Sequence, residues 1–296
     1  RARRTSVPLP AATEGGAATQ DAGHVSAYRQ IVRGLRATEQ DGARRHGATT
    51  HSAGLFAQLD AELSRAAPLI NRRRRSGKVK RGHGDLHLRN ICLFNGAPTP
   101  FDALEFDDRL ATTDVLYDLA FLLMDLRRAR LPAQANAAMN AYWDHAGESE
   151  SGLGLLPFFM GLRAAVRMAV AMEAGAVEEA RTYASLARDL LAGGSPVLVA
   201  CGGLSGAGKS VVAQALAPRL PGPAGARLLR SYVLRKSGLG IAMSARADAG
   251  AYAPARRAEI YRQLSAKARP ALAARASVVA AATFQNNQEH ESLEAE

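Results

Sequence analysis

One short segment constrains the fold of this chain more than any other. Gly203-Leu-Ser-Gly-Ala-Gly-Lys-Ser210 fits the pattern G-x-x-x-x-G-K-[ST] in full, with an apolar run before it and a helical pattern after it. Glycines permit a tight loop whose backbone N–H groups face phosphate oxygens, and the helix that follows directs its positive dipole end at the same anion. The sequence therefore predicts a strand, a phosphate-binding loop and a helix within an α/β domain.

The position of each residue in this loop indicates its role. Lys209 would place a positive charge near the β and γ phosphates of a nucleotide, and the Ser210 hydroxyl would be a magnesium ligand. We therefore expect ATP and Mg²⁺ as cofactors. The predicted cofactor-binding residues are Gly203, Ser205, Gly206, Ala207, Gly208, Lys209, Ser210 and Val211.

The surrounding pattern predicts a partial P-loop domain over residues 193–296. Gly-Gly-Ser-Pro at residues 193–196 is typical of a domain boundary. Apolar strands are predicted at residues 196–201, 227–230 and 277–284, with a long helix at 255–275, and this alternation is typical of α/β folds. Residues 228–230 and 278–282 contain no carboxylate to complete a magnesium site, so the loop is expected to bind phosphates in an incomplete site.

The part of the chain before residue 193 is predicted to be mainly helical. Residues 1–24 lack periodicity and are expected to be disordered, and helices are predicted at 26–45, 52–75, 114–128, 131–145, 155–173 and 177–191. Asn95-Gly96 predicts a hairpin turn between strands at 91–94 and 100–106. Residues 25–192 are therefore predicted to form one domain.

A second motif lies in a polar loop of this domain, His83-Gly-Asp-Leu-His-Leu-Arg-Asn90. A carboxylate and an amide at opposite ends of a short loop can face one phosphate, with Asp85 accepting the proton of a substrate hydroxyl and Asn90 holding Mg²⁺. Asp102 and Glu105 are both candidates for a further metal ligand. The alternatives are a zinc pair of histidines or an aspartate that only caps a turn.

Residues 69–126 resemble the aminoglycoside phosphotransferase and choline kinase superfamily in three features: HGDLH with its asparagine, an acidic strand after the hairpin, and Tyr-Asp-Leu-Ala-Phe at residues 117–121. Together with the P-loop, the chain looks like bacterial bifunctional aminoglycoside phosphotransferase/ATP-binding proteins, whose second half is similar to gluconate-kinase-type enzymes. The resemblance implies a protein-kinase-like C-lobe that transfers phosphate from ATP to a small hydroxylated acceptor, with Asp85 as the catalytic base.

The chain departs from that family in two respects. No lysine precedes Lys78, and no glycine-rich strand loop is present, so the chain is expected to be truncated relative to the family at both ends. In the second domain Tyr232 and Ala281 stand where the resemblance implies carboxylates. A nucleotide-binding or scaffold protein without catalysis is therefore the alternative function.

The formal net charge of +11 comes largely from arginine, including a basic run at residues 71–81. A nucleic-acid-binding module is a third hypothesis, but no helix-turn-helix, zinc-finger or RNA-binding signature accompanies the charge, which favours a solvated basic surface. Two cysteines cannot form a disulfide framework, and the apolar stretch at 153–175 is interrupted by charges. We expect a cytoplasmic protein without a membrane partner; the oligomeric state is left open.

Overall fold

The computed structural model describes residues 23–47, 49–50, 52, 54–105, 111–242, 250 and 253–284. Residues 1–24 were predicted to be disordered, and of these only residues 23 and 24 are described. The polar tail at 285–296 also lies outside the described residues. The chain divides into two compact units. Unit 1 comprises Arg1–Leu131 and Leu155–Gly193, and unit 2 comprises Pro132–Gly154 and Gly194–Glu296.

Unit 1 is mainly helical, with two small antiparallel sheets. Its elements are α1 (Val25–His46), α2 (Leu55–Arg75), β1 (Val79–Arg81), β2 (Ile91–Phe94), β3 (Ala97–Pro100), β4 (Thr112–Asp114), α3 (Val115–Arg128), α5 (Leu156–Glu173) and α6 (Val177–Ala192). Strand β1 pairs with β4 and β2 pairs with β3. The predicted helices are confirmed to within a few residues at their ends.

The hairpin differs from its predicted form. The turn at Asn95 and Gly96 is confirmed, but the second strand is β3 rather than residues 100–106, because Phe94 pairs directly with Ala97 across a two-residue turn. Both turn residues have positive φ, as the favoured hairpin turn requires. Residues 101–105 follow the hairpin without regular structure.

Helix α5 is the centre of unit 1. It packs against α1, α3 and α6, and most of its residues are buried on all sides. The segment Glu150–Glu173 is long and apolar enough to cross a membrane, but 78% of its apolar 18-residue window is buried inside the protein, as in the core helix of a folded domain. At Gly161 an added Cβ would lie 2.7 Å from Cγ of Leu191, so α6 approaches α5 closely there.

Unit 2 is built around a parallel sheet in the order β5–β7–β6. Its elements are α4 (Pro132–Ala146), β5 (Leu198–Cys201), α7 (Lys209–Leu216), β6 (Arg227–Arg230), α8 (Ser231–Gly238), α9 (Pro254–Ala273) and β7 (Val278–Ala281). The central strand β7 is buried throughout, which explains its run of Val and Ala. The predicted parallel α/β sheet is therefore confirmed.

Helix α4 belongs to unit 2, although it lies far before the P-loop in the sequence. Asn136 donates to the carbonyl oxygens of Ala224 and Ala226 at 2.8 Å, and Asn140 accepts a hydrogen bond from the Leu228 amide at 2.7 Å. β6 is an edge strand of the sheet. The two amide side chains form hydrogen bonds with backbone groups of β6 and of the residues just before it, as a neighbouring strand would. The predicted domain over residues 25–192 thus differs from unit 1 at residues 132–154.

Candidate functional site

The phosphate-binding loop lies between β5 and α7, where the sequence places it. Gly203, Gly206 and Gly208 all have positive φ, and Gly208 immediately precedes the first residue of α7. Residues with a Cβ rarely adopt this conformation, so the glycines permit the tight turn. The first two N–H groups of α7, on Lys209 and Ser210, precede the first hydrogen bonds of the helix, in which the amides of Val211 and Val212 donate to the Gly208 carbonyl. The loop can therefore direct backbone donors at an anion.

Lys209 and Ser210 are the first two residues of α7. The Lys209 ammonium donates a 2.6 Å hydrogen bond to the Leu204 carbonyl, which folds the side chain back over its own loop. The predicted cofactor-binding residues up to Gly208 are exposed, as is Val211, whose side chain points to solvent. A phosphate at this loop would compete with the Leu204 carbonyl for the ammonium group.

The end of the central strand supports the loop from behind. The Gly203 amide donates to the Thr283 carbonyl at 3.3 Å, and the Thr283 hydroxyl lies 3.1 Å from the Tyr261 hydroxyl on α9. Ala281, the last residue of β7, is buried and contributes no carboxylate. Tyr232 lies at the start of α8, where its hydroxyl accepts a hydrogen bond from Arg230. Neither position therefore adds a carboxylate to Ser210, the magnesium ligand that the sequence predicts for this loop.

The second motif forms a compact constellation in unit 1 around Asp85. The Asn90 side-chain amide donates to both the backbone oxygen and Oδ2 of Asp85, each at 3.0 Å. Nδ1 of His87 accepts a hydrogen bond from the Arg89 amide, so the neutral ring carries its proton on Nε2, which lies 3.4 Å from Oδ2 of Asp85. The loop therefore brings together the base and the amide predicted from the sequence.

This environment favours the ionised form of Asp85. The hydrogen bond from His87 is the largest cause that lowers its pKa, and burial opposes it; the bond from Asn90 and the charge of Arg163 also lower the pKa. The Asp85 side chain is 39% exposed, so an acceptor hydroxyl can reach it from solvent. The arrangement can accept a hydrogen bond from such a hydroxyl and orient it.

Carboxylates on α3 hold the backbone of this loop. Asp118 accepts hydrogen bonds from the amides of His83 at 2.7 Å and Gly84 at 3.0 Å, and Asp125 accepts one from Leu88 at 2.9 Å. Gly84 has φ +78°, and an added Cβ would lie 2.6 Å from Cδ1 of Leu104, so any other residue would be strained there and would displace Leu104. These contacts fix the direction in which Asp85 leaves the backbone.

The remaining predicted metal ligands are not gathered into a cluster. Asp102 and Glu105 are both exposed on the segment after β3, and Asp102 has φ +61°. Across residues 23–284, apart from the short segments left undescribed, no group of three His, Cys, Asp or Glu side chains could hold a metal ion. In the Asn90 side chain, Nδ2 is turned to Asp85, which leaves the carboxamide oxygen as the atom suited to a cation.

Sequence reasoning missed two residues of this site. Asp118 and Arg163 both contact the loop backbone, from α3 and α5 respectively. The signal for Arg163 was a charge in the middle of an almost wholly apolar helix, which the sequence analysis used only as evidence against a membrane span. A buried charge in such a helix needs a compensating environment, which indicates specific contacts for this side chain.

Comparison with known proteins supports the assignment in unit 2. Residues 198–295 match the family model AAA_33, described as an AAA domain. The chain is 28% identical over 240 residues to the uncharacterized proteins Rv2004c of Mycobacterium tuberculosis and Mb2027c of Mycobacterium bovis. The match covers 78% of this chain and 47% of each relative, so the chain spans about half the length of these curated relatives.

No solved structure gives a significant match to the chain. The family match begins at the first P-loop strand and does not reach the loop around Asp85. The P-loop geometry and the family match agree on the same stretch of sequence. The chain therefore contains, at residues 198–295, a P-loop domain of the AAA_33 kind and is a distant relative of uncharacterized mycobacterial proteins.

Proposed function

We propose that unit 2 binds Mg²⁺-ATP and that the chain serves ATP-dependent phosphoryl transfer to a small hydroxylated acceptor. The observation that carries the nucleotide-binding part is the position of Lys209 and Ser210 at the start of α7, behind glycines with positive φ. A lysine ammonium and a helix N-terminus together favour a polyphosphate over a neutral ligand. The AAA_33 match over the same residues supports this proposal.

The residues at the P-loop fit a magnesium–nucleotide complex in which the protein supplies few of the metal ligands. The Ser210 hydroxyl would hold the metal together with phosphate oxygens, and Lys209 would leave the Leu204 carbonyl to contact the nucleotide. When bound, Mg²⁺ neutralises charge that develops on the phosphate oxygens. Ala281 and Tyr232 supply no further carboxylate, so water and phosphate would complete the coordination shell.

For unit 1 we propose a kinase-like catalytic loop of the aminoglycoside phosphotransferase type. Asp85 would accept the proton of the acceptor hydroxyl, and Asn90 would hold a metal ion with Asp102 or Glu105. The hydrogen bonds from His87 and Asn90 to Asp85 support this proposal, because they keep the carboxylate ionised and fix its orientation. Positioning and charge neutralisation would supply most of the rate.

Titration calorimetry with Mg²⁺-ATP tests which loop binds the nucleotide. Lys209→Ala is expected to weaken binding at least tenfold, about 1.4 kcal/mol, because the variant loses the loop's cationic side chain. Asp85→Ala is the matched control and should change the affinity little. Equal losses from the two substitutions would contradict the assignment of nucleotide binding to unit 2.

Nucleotide binding without transfer is a second candidate function, favoured by Tyr232 and Ala281 at positions where carboxylates are expected. A radiolabelled-ATP assay against a panel of small hydroxylated compounds separates the two functions. Binding without turnover would support the second candidate. Robust phosphorylation that Asp85→Asn abolishes would support transfer at the loop in unit 1, since asparagine keeps the shape of the side chain but cannot take a proton.

A further inference from the structure

Arg163 is a buried cation whose presence the proposed function has not explained. It lies on α5, deep in the core of unit 1, and is only 8% exposed. Among the residues that the structure describes, no carboxylate forms an ion pair with it. A buried charge is costly unless its surroundings compensate it, so the contacts of this side chain indicate its role.

Aromatic rings and backbone oxygens surround the guanidinium. Its central carbon lies 3.8 Å from the centre of the Tyr117 ring and 4.7 Å from that of Phe121. Nε donates to the Tyr117 carbonyl and Nη2 donates to the Gly84 carbonyl, both at 3.3 Å. The rings attract the cation and hold its plane, while the forked donors reach helix α3 and the loop around Asp85 at once.

The contact with Gly84 completes a clamp on the catalytic loop. Asp118 on α3 holds the amide of Gly84, and Arg163 on α5 holds its carbonyl, so both polar groups of this residue are fixed from different helices. The next residue along the chain is Asp85. Gly84 has no side chain that could anchor its backbone. A shift of the Gly84 peptide would therefore change the direction of the Asp85 side chain.

We infer that Arg163 is a positioning residue of the Asp85 loop: it fixes the Gly84 carbonyl, and with it the peptide that precedes Asp85. The inference deepens the proposed function of unit 1 and rests on it for its catalytic consequence. The charge is one of the causes that lower the pKa of Asp85, in agreement with the geometry. A lysine would retain the charge but not the forked contacts to two carbonyls.

Amide hydrogen exchange of residues 82–90, read by mass spectrometry in the full chain, tests the inference without requiring activity. Arg163→Met should speed exchange in this loop at least tenfold, and Arg163→Lys should have an intermediate effect. The control is Arg167→Met, one turn further along α5, where the guanidinium faces the Tyr183 ring instead of the loop. Equal exchange in Arg163→Met and Arg167→Met would overturn the inference.

Two further outcomes are also decisive. If Arg163→Met does not fold, Arg163→Lys is compared with Arg167→Lys, and equal loop exchange in these two variants would overturn the inference. If the wild-type chain transfers phosphate, Arg163→Lys should lower kcat while leaving the KM for ATP unchanged; a change in KM alone would contradict a positioning role. Absence of transfer in the wild type would sink the function proposed for unit 1, while the exchange result would still decide whether Arg163 holds the loop.

Discussion

At the scale of single residues, the role proposed for Asp85 depends on the ionisation of its carboxyl group. Its pKa lies below the usual value chiefly because His87 donates a hydrogen bond to the carboxylate. His87 is in turn held by the Arg89 amide and by an edge contact with the Phe121 ring, 5.2 Å between centres. The ring can therefore hold the carboxylate in one orientation.

His87→Ala should raise the pKa of Asp85 toward its usual value, because the largest stabilising contact of the carboxylate is lost. A carbon-13 NMR titration of the side-chain carboxyl measures this shift. His145→Ala, on an exposed histidine of α4, is the control and should leave the pKa unchanged. An unchanged Asp85 pKa in His87→Ala would show that the ring does not interact with the carboxylate in solution.

The sign of the accompanying stability change follows from the direction of the shift. A carboxyl group whose folded pKa is lowered contributes stability above its unfolded pKa of about 3.9, and loses it as the pH falls through the folded pKa. The Asp85 carboxyl should therefore make the wild type more stable than His87→Ala at neutral pH. This difference in the free energy of unfolding should vanish in strong acid. Urea unfolding at several pH values measures the effect.

The sequence predicted the proximity of Asp85 and Asn90 better than the contacts that support their loop. The residues Asp85 and Asn90 were found because the motif holds them in one local loop. Asp118 and Arg163 lie on helices that contact the loop only in the folded chain. Because both residues are far from Gly84 in the sequence, no local pattern predicts these contacts. The shared loop contacts of α3 and α5 are a property of tertiary structure.

At the scale of elements, α4 is joined to β6 by buried charges as well as by amides. Arg227 is 2% exposed, and it contacts Asp144 at 2.8 Å and Glu150 at 3.0 Å. Lys267 on α9 also reaches Glu150 at 3.0 Å. Arg230 contacts Asp144 at 2.9 Å, so two acids and three bases form one cluster, and each charge compensates the desolvation of another.

Arg227→Ala should destabilise unit 2 by about 3–5 kcal/mol, because it leaves Glu150 buried with too little compensation. Urea unfolding followed by fluorescence of Trp143, the single tryptophan of the chain, measures this loss on α4 itself. The control is Arg219→Ala, which removes an exposed side chain that donates to the Ala215 carbonyl. Arg227→Met with Glu150→Met should recover most of the stability; no recovery would argue against an electrostatic cause.

The length and pattern of each element decided whether the sequence could predict it. Long amphipathic helices and the apolar strands of the parallel sheet were found, because their periodicity extends over many residues. Strands β1 and β4 were missed, since Val-Lys-Arg and Thr-Thr-Asp are too short and polar to show alternation. Their pairing places Val79 opposite Asp114, the residue that caps α3.

At the scale of the whole molecule, ligand binding should be visible as stability of unit 2. A ligand that binds only the folded state adds about 2.7 kcal/mol at a concentration 100 times its Kd. Mg²⁺-ATP should therefore shift the Trp143 unfolding transition to higher urea, and Lys209→Ala should remove the shift at the same nucleotide concentration. A shift of equal size in Lys209→Ala would mean that the nucleotide stabilises the protein elsewhere.

The division into units was the least predictable feature of the molecule. The composition change at residues 193–196 indicated where the chain enters unit 2 for the second time. Nothing local in the sequence of α4 distinguishes a helix of unit 1 from one of unit 2. Its assignment depends on Asn136, Asn140 and Asp144 meeting partners between residues 224 and 230.

The discontinuity of unit 2 has a consequence for synthesis on the ribosome. Helix α4 emerges before α5 and α6, yet its partners on β6 are translated only after the last helix of unit 1. At about 5–20 residues per second, this leaves α4 without them for some seconds, with Asn136, Asn140 and Trp143 exposed to other contacts. The nascent chain therefore completes the sequence of unit 1 while a helix of unit 2 still lacks its partners, which makes this interval the stage most exposed to chaperones and to misassembly.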